Sequence, residues 1–288
     1  MNPLIEHEQR LIALEKQQAD LLSRTRHPRR KVTYSDVNLY VRTDGSDSND
    51  GSANTAGKAF LTIAKALTVA QQYYASPYSK VQISVADGTY AQTASLTYGN
   101  HQMGGGIWLV GNSGTPANCV IRADTNGMWL NLFQYPNLAP YFLDGFTLAA
   151  NTGIASNLAL ARWRSQVHLS NMRFGSAGTG AQVYAVEYAL ITMQTSYSIV
   201  GGAGYHMFCD RHSLIEDPGG AITCTITGTP AFSGAFVQTV HGLIQLPNAT
   251  FSGAITGKSY VANNLGEIQG TFPAGTIAGT TANGGIKT

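Results

Sequence analysis

The densest set of reactive side chains lies in the run YHMFCDRHSLIEDPG, where His206, Asp210, Arg211, His212, Glu216 and Asp217 fall close together. Two carboxylates separated by a few positions can face each other across a turn, and a nearby arginine or histidine can move the pKa of one of them. General acid–base chemistry needs that arrangement. Asp210, Glu216 and Asp217 are therefore the candidate catalytic residues. Glu187 precedes Asp210 by 23 positions and would join them if the chain stacks on a period of that length. The same run also reads as two exposed turns, Asp210 to His212 and Asp217-Pro218-Gly219. The turn reading is preferred because acids are sparse. Beyond the polar loop the chain has only Asp87, Asp124, Asp144, Glu187, Asp210, Glu216, Asp217 and Glu267.

Other ligand chemistry is thinner. The DGSDSND loop from Asp44 to Asp50 has the composition of a calcium site without its alternating ligand order or distal glutamate, and Gly/Asp turns explain it as well. Cys119, Cys209 and Cys224 are odd in number and lack a CxxC pair, so buried thiols are expected rather than disulfides or a zinc site. No cofactor and no metal are expected. Aromatic rings offer a non-catalytic route to sugars, since a ring face stacks on a pyranose while its polar edge hydrogen-bonds. Among 14 Tyr and 3 Trp, the candidate glycan contacts are Trp129 and Tyr135 in a proline-punctuated loop, Trp163 between Arg162 and Arg164, and His206. Most other rings are expected to pack in the core or between subunits.

These side chains need a scaffold, and the chain has a repeat. Apolar strand centres at Ile83, Ile107, Ile121, Leu143, Val167, Ile191, Ile215, Ile244 and Ile268 follow one another in steps of 24, 14, 22, 24, 24, 24, 29 and 24. Second apolar runs follow near Phe146–Leu148, Met172–Phe174, Tyr197–Ile199, Ile222–Ile226 and Phe251–Ile255. Short strands recurring near the commonest of those steps are what one solenoid coil requires. About eight coils at ~4.8 Å each would make a shaft near 40 Å. Ahead of the repeat, Leu39-Tyr40-Val41 reads as a strand, Asp44 to Gly57 as a turn-rich loop, and Phe60, Ile63, Ala64 and Leu67 as the apolar stripe of a short helix. Val81 to Val85 then alternates apolar and polar and closes in the turn Asp87 to Tyr90.

Three of these segments, VRTDGSDSNDGSA, AFLTIAKAL and VQISVADGTY, together resemble the opening of right-handed parallel β-helix proteins of the pectin-lyase-like class. The resemblance covers the stretch from Val41 to Tyr90. It implies a helix that plugs the open end and a first coil at Val81 to Tyr90. It speaks to fold more than to activity, because that scaffold carries lyases, hydrolases and non-enzymatic viral adhesins. From Ala221 onward the chain becomes Thr/Gly/Ala-rich, and NATFSGAITGKSYVANNLGEIQG with the closing PAGT and GG resembles C-terminal segments of bacteriophage tail-fibre and tailspike proteins. That second resemblance implies a homotrimer on a virion tail, assembled in the host cytoplasm. A trimer would also cover the unpaired edge of the last coil.

At the start of the chain Leu4, Leu11 and Gln18 occupy one heptad position and His7, Leu14 and Leu21 the other. Ile5, Ile12, Ala19 and Leu22 widen the face toward more than two strands. Leu4, Leu11, Leu14 and Leu21 are thus candidate assembly residues. Pro28 ends this helix inside a basic stretch with five cations between Arg24 and Lys31. The stretch reads as a solvated hinge or as an anchor on an acidic tail or baseplate protein.

Composition agrees with stacked turns and strands: charged residues are 12%, glycine is 32 of 288, and hydrophobic residues are 43%. A net charge of +2 makes no electrostatic case for nucleic acid. No leader pattern and no apolar run long enough for a membrane span is seen, so neither a signal peptide nor membrane insertion is expected.

The expected organisation is an attachment segment at 1–31, an opening segment with the capping helix at 32–90, a shaft at 91–220 and a tip at 221–288. The expected fold is an all-β right-handed parallel β-helix with a short N-terminal α-helical coiled coil and a capping helix, homotrimeric. The expected function is a structural phage tail fibre or short tailspike that binds host surface polysaccharide. The alternative is a polysaccharide depolymerase of a phage tail, and a cellular pectin-lyase-like enzyme comes third.

Overall fold

Short strands with one apolar face cannot bury that face alone, but they can when each stacks on the next. The computed structural model describes residues 31–76, 78–96, 105–127, 129–131 and 140–288. Val32–Thr288 form one unit, an all-β parallel solenoid with very little helix. Its wall is three sheets. The first has ten strands from Val37–Val41 to Ile286–Lys287, the second seven from Gly88–Gln92 to Ala249–Ser252, and the third eight from Trp129–Asn131 to Thr280–Ala282. Six turns, those beginning at Ile107, Tyr141, Gln166, Leu190, Leu214 and Leu243, carry a strand on all three faces. The expected count was about eight. The turns at either end are represented on fewer than three faces among the described residues.

Register explains the period. Val167, Ile191, Ile215, Ile244 and Ile268 pair in succession as one inward column, and none is more than 1% exposed. Three expected centres belong elsewhere, the first being Ile83, which pairs with Leu109 while Val81 pairs with Ile107. Ile121 lies on the second sheet between Tyr90 and Leu148, so the shortest step in the series runs from one face to the next. The first-sheet partner of Ile107 is Tyr141, well beyond the usual step. Leu143 lies just past the column and pairs with Leu169. The second apolar runs fall on second-sheet strands, including Thr147–Ala150, Tyr197–Ile199 and Ile222–Ile226.

The third sheet was not legible as a separate face, for a physical reason. Its strands bend: in Ala203–Asp210 the consecutive residues His206 and Met207 are both buried, while Tyr205 and Phe208 on either side are half-exposed. Two inward residues in a row break the alternation of period two by which a strand is read. The sheets continue through residue 220 without a change of architecture, as Ile222–Ile226 pairs with Tyr197–Ile199 and Ala231–Val240 with Ala203–Asp210.

The helix α1 spans Ile63–Ala70 and buries Ile63, Ala66, Leu67 and Ala70. Ala64, assigned to that stripe from spacing, is exposed, and Ala66 takes its place. Thr62 caps the helix by accepting from the Lys65 amide at 3.1 Å. Asp47 accepts from the amides of Leu61 and Thr62 and from the Thr62 hydroxyl. This ties the polar loop to the helix N-terminus, where a carboxylate is favourable. Asp44 pairs with Arg42, and Asp50 with Ser52 and Lys58, so all three acids of the calcium-like loop are engaged. Cys119, Cys209 and Cys224 are buried free thiols, each pushed up to about 12 by desolvation. Leu4, Leu11, Leu14 and Leu21, with the whole heptad segment, lie outside the described residues.

Candidate functional site

The outer surface of the third sheet gathers aromatic rings from successive turns. Tyr184 and Phe208 are register partners. Their rings stack at 4.9 Å and 14°, and Tyr205 stacks on Phe208 at 5.0 Å and 24°. Beside them, at the N-terminal ends of the strands, are two open clefts. One of ≈ 290 Å³ is lined by Asn157, Thr179, Tyr184, Tyr205 and Phe208 among others. The next, ≈ 350 Å³, shares Thr179 and adds Ser176, Ser233 and Thr256. Because each turn contributes the same positions, the clefts run from strand to strand along the solenoid axis. Gly178, Gly180 and Gly202 in their lining sit where a Cβ would strike the backbone of the neighbouring turn, so glycine there lets the turns stack closely.

At the C-terminal ends of the same strands the chain turns into the first sheet through residue pairs in the left-handed region. Trp163 and Arg164 have φ of 51° and 61°, Glu187 and Tyr188 62° and 65°, Arg211 and His212 50° and 62°. Non-glycine residues held there cost roughly 1–2 kcal/mol each. Neighbouring turns bond through the backbone, Arg164 N to Glu187 O and Tyr188 N to Arg211 O, both at 3.1 Å. A charge chain runs beneath: Glu187 accepts from Arg211 at 2.8 Å and from Arg162 at 3.4 Å, and Arg211 approaches Asp210 at 3.6 Å. Above it Arg164 lies 5.8 Å from the Tyr188 ring, Tyr188 stacks on His212 at 5.3 Å, and His212 faces His241 at 6.3 Å. Burial raises the Tyr184 phenol, with the Asp210 charge adding to it, which puts the ring patch and the charged corner in one electrostatic neighbourhood.

Comparison of the chain with protein-family models, with curated proteins and with solved structures returned no match. The geometry therefore carries the functional argument.

Asp210, Glu216 and Asp217 do not converge. Asp210 ends a third-sheet strand, and its carboxylate accepts from the Arg211 amide at 2.7 Å. Glu216 ends the first-sheet strand Leu214–Glu216, across the turn from Asp210, with Thr192 and Gln245 beside it in register. Burial raises its pKa, and the charge of Asp217 adds to that. Asp217, 8% exposed, is a turn staple: it accepts from the Gly219 amide at 2.9 Å and from the Asn248 amide and side chain, both at 3.1 Å. Stacking does bring Glu187 into the neighbourhood of Asp210, with Arg211 between them. Among the described residues no group of three His, Cys, Asp or Glu could hold a metal.

Of the glycan candidates, Trp163 lies at the corner with the Arg162 guanidinium 4.5 Å from its ring centre. His206 is inside the solenoid at 0% exposure, a position from which it meets no surface glycan. The third-sheet alternation that would have shown this is broken at that residue. The backbone of Trp129 belongs to the first third-sheet strand, while its side chain and Tyr135 lie outside the described residues. Sequence reading missed Tyr184, Tyr205 and Phe208, and also the column Arg164, Tyr188, His212. That column recurs at a spacing of 24, the period already visible in the strand centres. Reading the period down the turn positions, as well as the strand positions, finds it.

Proposed function

We propose that this protein is a structural component of a virion tail, a fibre or short tailspike, that binds host surface polysaccharide along the outer face of its third sheet. The observation that carries the reading is the pair of adjoining clefts, the first lined by Tyr184, Tyr205, Phe208 and Asn157, the second by Ser176 and Ser233, with Thr179 in both. Rings supply stacking faces and edges for pyranoses, and the small polar residues supply hydrogen bonds. The rung spacing of ~4.8 Å is comparable with the advance of a pyranose chain per sugar, so one saccharide can engage several turns. The test is binding of host polysaccharide by Tyr205→Ala/Phe208→Ala. Affinity should fall about tenfold or more, with the circular dichroism of the folded protein kept although the lost stacking lowers the melting temperature. Unchanged affinity would remove this face from the reading.

In this reading α1 caps the solenoid, and the chain assembles as a homotrimer through its N-terminal heptads and the outer face of the first sheet. There Leu190, Leu214 and Leu243 pair in succession, half-buried, while their neighbours Ile191, Ile215 and Ile244 point inward. Farther along the same face Trp108, Phe142 and His168 stack at 4.0 and 4.7 Å. An in-register apolar ladder on a flat sheet favours burial against another copy. Light scattering should give a mass of about three chains for the whole protein and a smaller one for a chain beginning at Lys31. A monomeric whole chain would sink the trimer. The basic segment before Lys31 would grip a tail or baseplate protein.

One observation favours the depolymerase alternative: Glu216 is a carboxyl with a raised pKa, as a general acid needs. Reducing-end release from host polysaccharide, abolished by Asp210→Asn/Glu216→Gln with the melting temperature kept, would establish it. The structural reading expects no release.

A further inference from the structure

The corner turns assign the chemical class of the saccharide. Two-residue turns with both central residues left-handed are strain-free with Asn-Gly, the dipeptide that this corner uses in the last turn at Asn283-Gly284. The three consecutive turns beside the aromatic patch instead use Trp163-Arg164, Glu187-Tyr188 and Arg211-His212, and the turn before the last uses Asn264-Leu265. Left-handed backbone is one way a fold fixes side chains in place, and in these three turns it fixes a cluster of charged and aromatic ones.

Those side chains form a ridge with an excess of positive charge. Glu187 is tucked in at 21% exposure between Arg162 and Arg211, and Asp210 at 18% lies against Arg211. Both carboxylates are thus covered by cations. Arg211 is 60% and Tyr188 59% exposed, and Arg164, His212 and His241 are exposed too. No carboxylate among the described residues pairs with Arg164. The exposed groups are Arg164 on one turn, Tyr188 on the next, and Arg211 with His212 on the third.

We infer that this ridge is a subsite for an acidic saccharide, with Arg164 and Arg211 pairing with sugar carboxylates or phosphates, Tyr188 packing on a sugar ring between them and His212 on one beside Arg211. A guanidinium fork matches a carboxylate in two hydrogen bonds, and the rungs repeat at the scale of the sugars. The clefts select the chain, and the ridge selects for charge. This rests on the glycan-binding reading above.

The experiment compares the full protein with a turn-swapped variant carrying W163N/R164G, E187N/Y188G and R211N/H212G. The probes are bacterial capsular and O-polysaccharides of known composition, some bearing uronic or sialic acids and some neutral. Asn-Gly is the best dipeptide for these turns, so the variant should melt at or above the wild-type temperature. Wild type should bind acidic polymers in preference, with affinity falling as salt rises. The variant should lose about tenfold or more for acidic polymers and keep its binding to neutral ones. Equal binding of acidic polymers by both proteins would overturn the inference while leaving the glycan reading intact. Preference for neutral polymers would do the same. Binding of no polysaccharide at all by the wild type would overturn both.

Discussion

His206 and His212 lie six positions apart on one turn of the solenoid and occupy opposite sides of its wall. His206 is enclosed: its Nδ1 is 2.8 Å from Gln182 Oε1, its Nε2 3.0 Å from the Tyr197 hydroxyl, and its ring stacks on Phe236 at 4.9 Å. Gln182 in turn donates to the carbonyls of Gly175 and Gly201, both at 2.8 Å. Those two donations fix the amide, so Oε1 faces the histidine and can only accept. Nδ1 therefore carries the proton, and Nε2 accepts from Tyr197. His212 sits outside on a strained turn, stacked on Tyr188 and open to solvent. The same residue type at nearly the same place in the sequence is scaffold in one case and surface chemistry in the other. What separates them is the side of the wall each faces, which the bend in the strand decides.

The comparison breaks most visibly at His206. His206→Ala leaves Gln182 Oε1 without its partner, removes the acceptor of the Tyr197 hydroxyl and opens a cavity among Phe174, Phe232 and Phe236. A loss of about 3–5 kcal/mol is expected, measured by urea unfolding at pH 7. His212→Ala should change stability by less than about 0.5 kcal/mol, as exposed sites do. Similar losses at both positions would undo the assignment of one to the core and the other to the surface.

Acid sharpens the contrast. Burial lowers His206 to about 3, against about 6.5 in the unfolded chain. Between those values the unfolded state binds the extra proton, so the neutral buried ring contributes stability that is fully present above pH 6.5 and lost as pH falls toward 3. The slope from this group is at most about 1.4 kcal/mol per pH unit. Unfolding midpoints measured from pH 7 down to 4 should show it in wild type and in His212→Ala alike. In His206→Ala the slope should shrink by that amount. An unchanged slope would mean that His206 is protonated in the folded protein.

The turn column gives a smaller effect. Gly284 has φ +77°, and a Cβ there would come 2.7 Å from Leu265 Cδ2. Gly284→Ala should cost about 1 kcal/mol by thermal unfolding, which would measure one left-handed residue in the strain-free turn.

How much of this was readable before the structure follows from the same two sides of the wall. The inward column Val167 to Ile268 was legible because its apolar residues recur at nearly constant spacing. Ile121 was assigned to that column because an apolar centre does not say which of three faces it belongs to. The site was less legible than the fold. Asp210, Glu216 and Asp217 are neighbours in sequence, but a turn and a change of sheet part Asp210 from the other two. Tyr184 and Phe208 are a full solenoid turn apart along the chain, and they touch. In a solenoid, proximity runs down the columns, and a search for clusters along the chain looks in the wrong direction.

The smallest effect tests whether the ridge is strained at all. Arg211→Ala removes the pairing with Glu187 at 2.8 Å and leaves a left-handed alanine, so it should lose about 0.5–1 kcal/mol. Arg211→Asn removes the same pairing but puts a residue that tolerates the left-handed region in its place. It should therefore fall within about 0.5 kcal/mol of wild type. Both variants lose the same exposed ion pair, so the difference between them isolates the backbone term. Arg211→Asn more stable than Arg211→Ala would show that the turn holds its arginine against a conformational cost. Equal stabilities would mean the left-handed turn costs nothing here, and the contrast between these three turns and Asn283-Gly284 would lose its force.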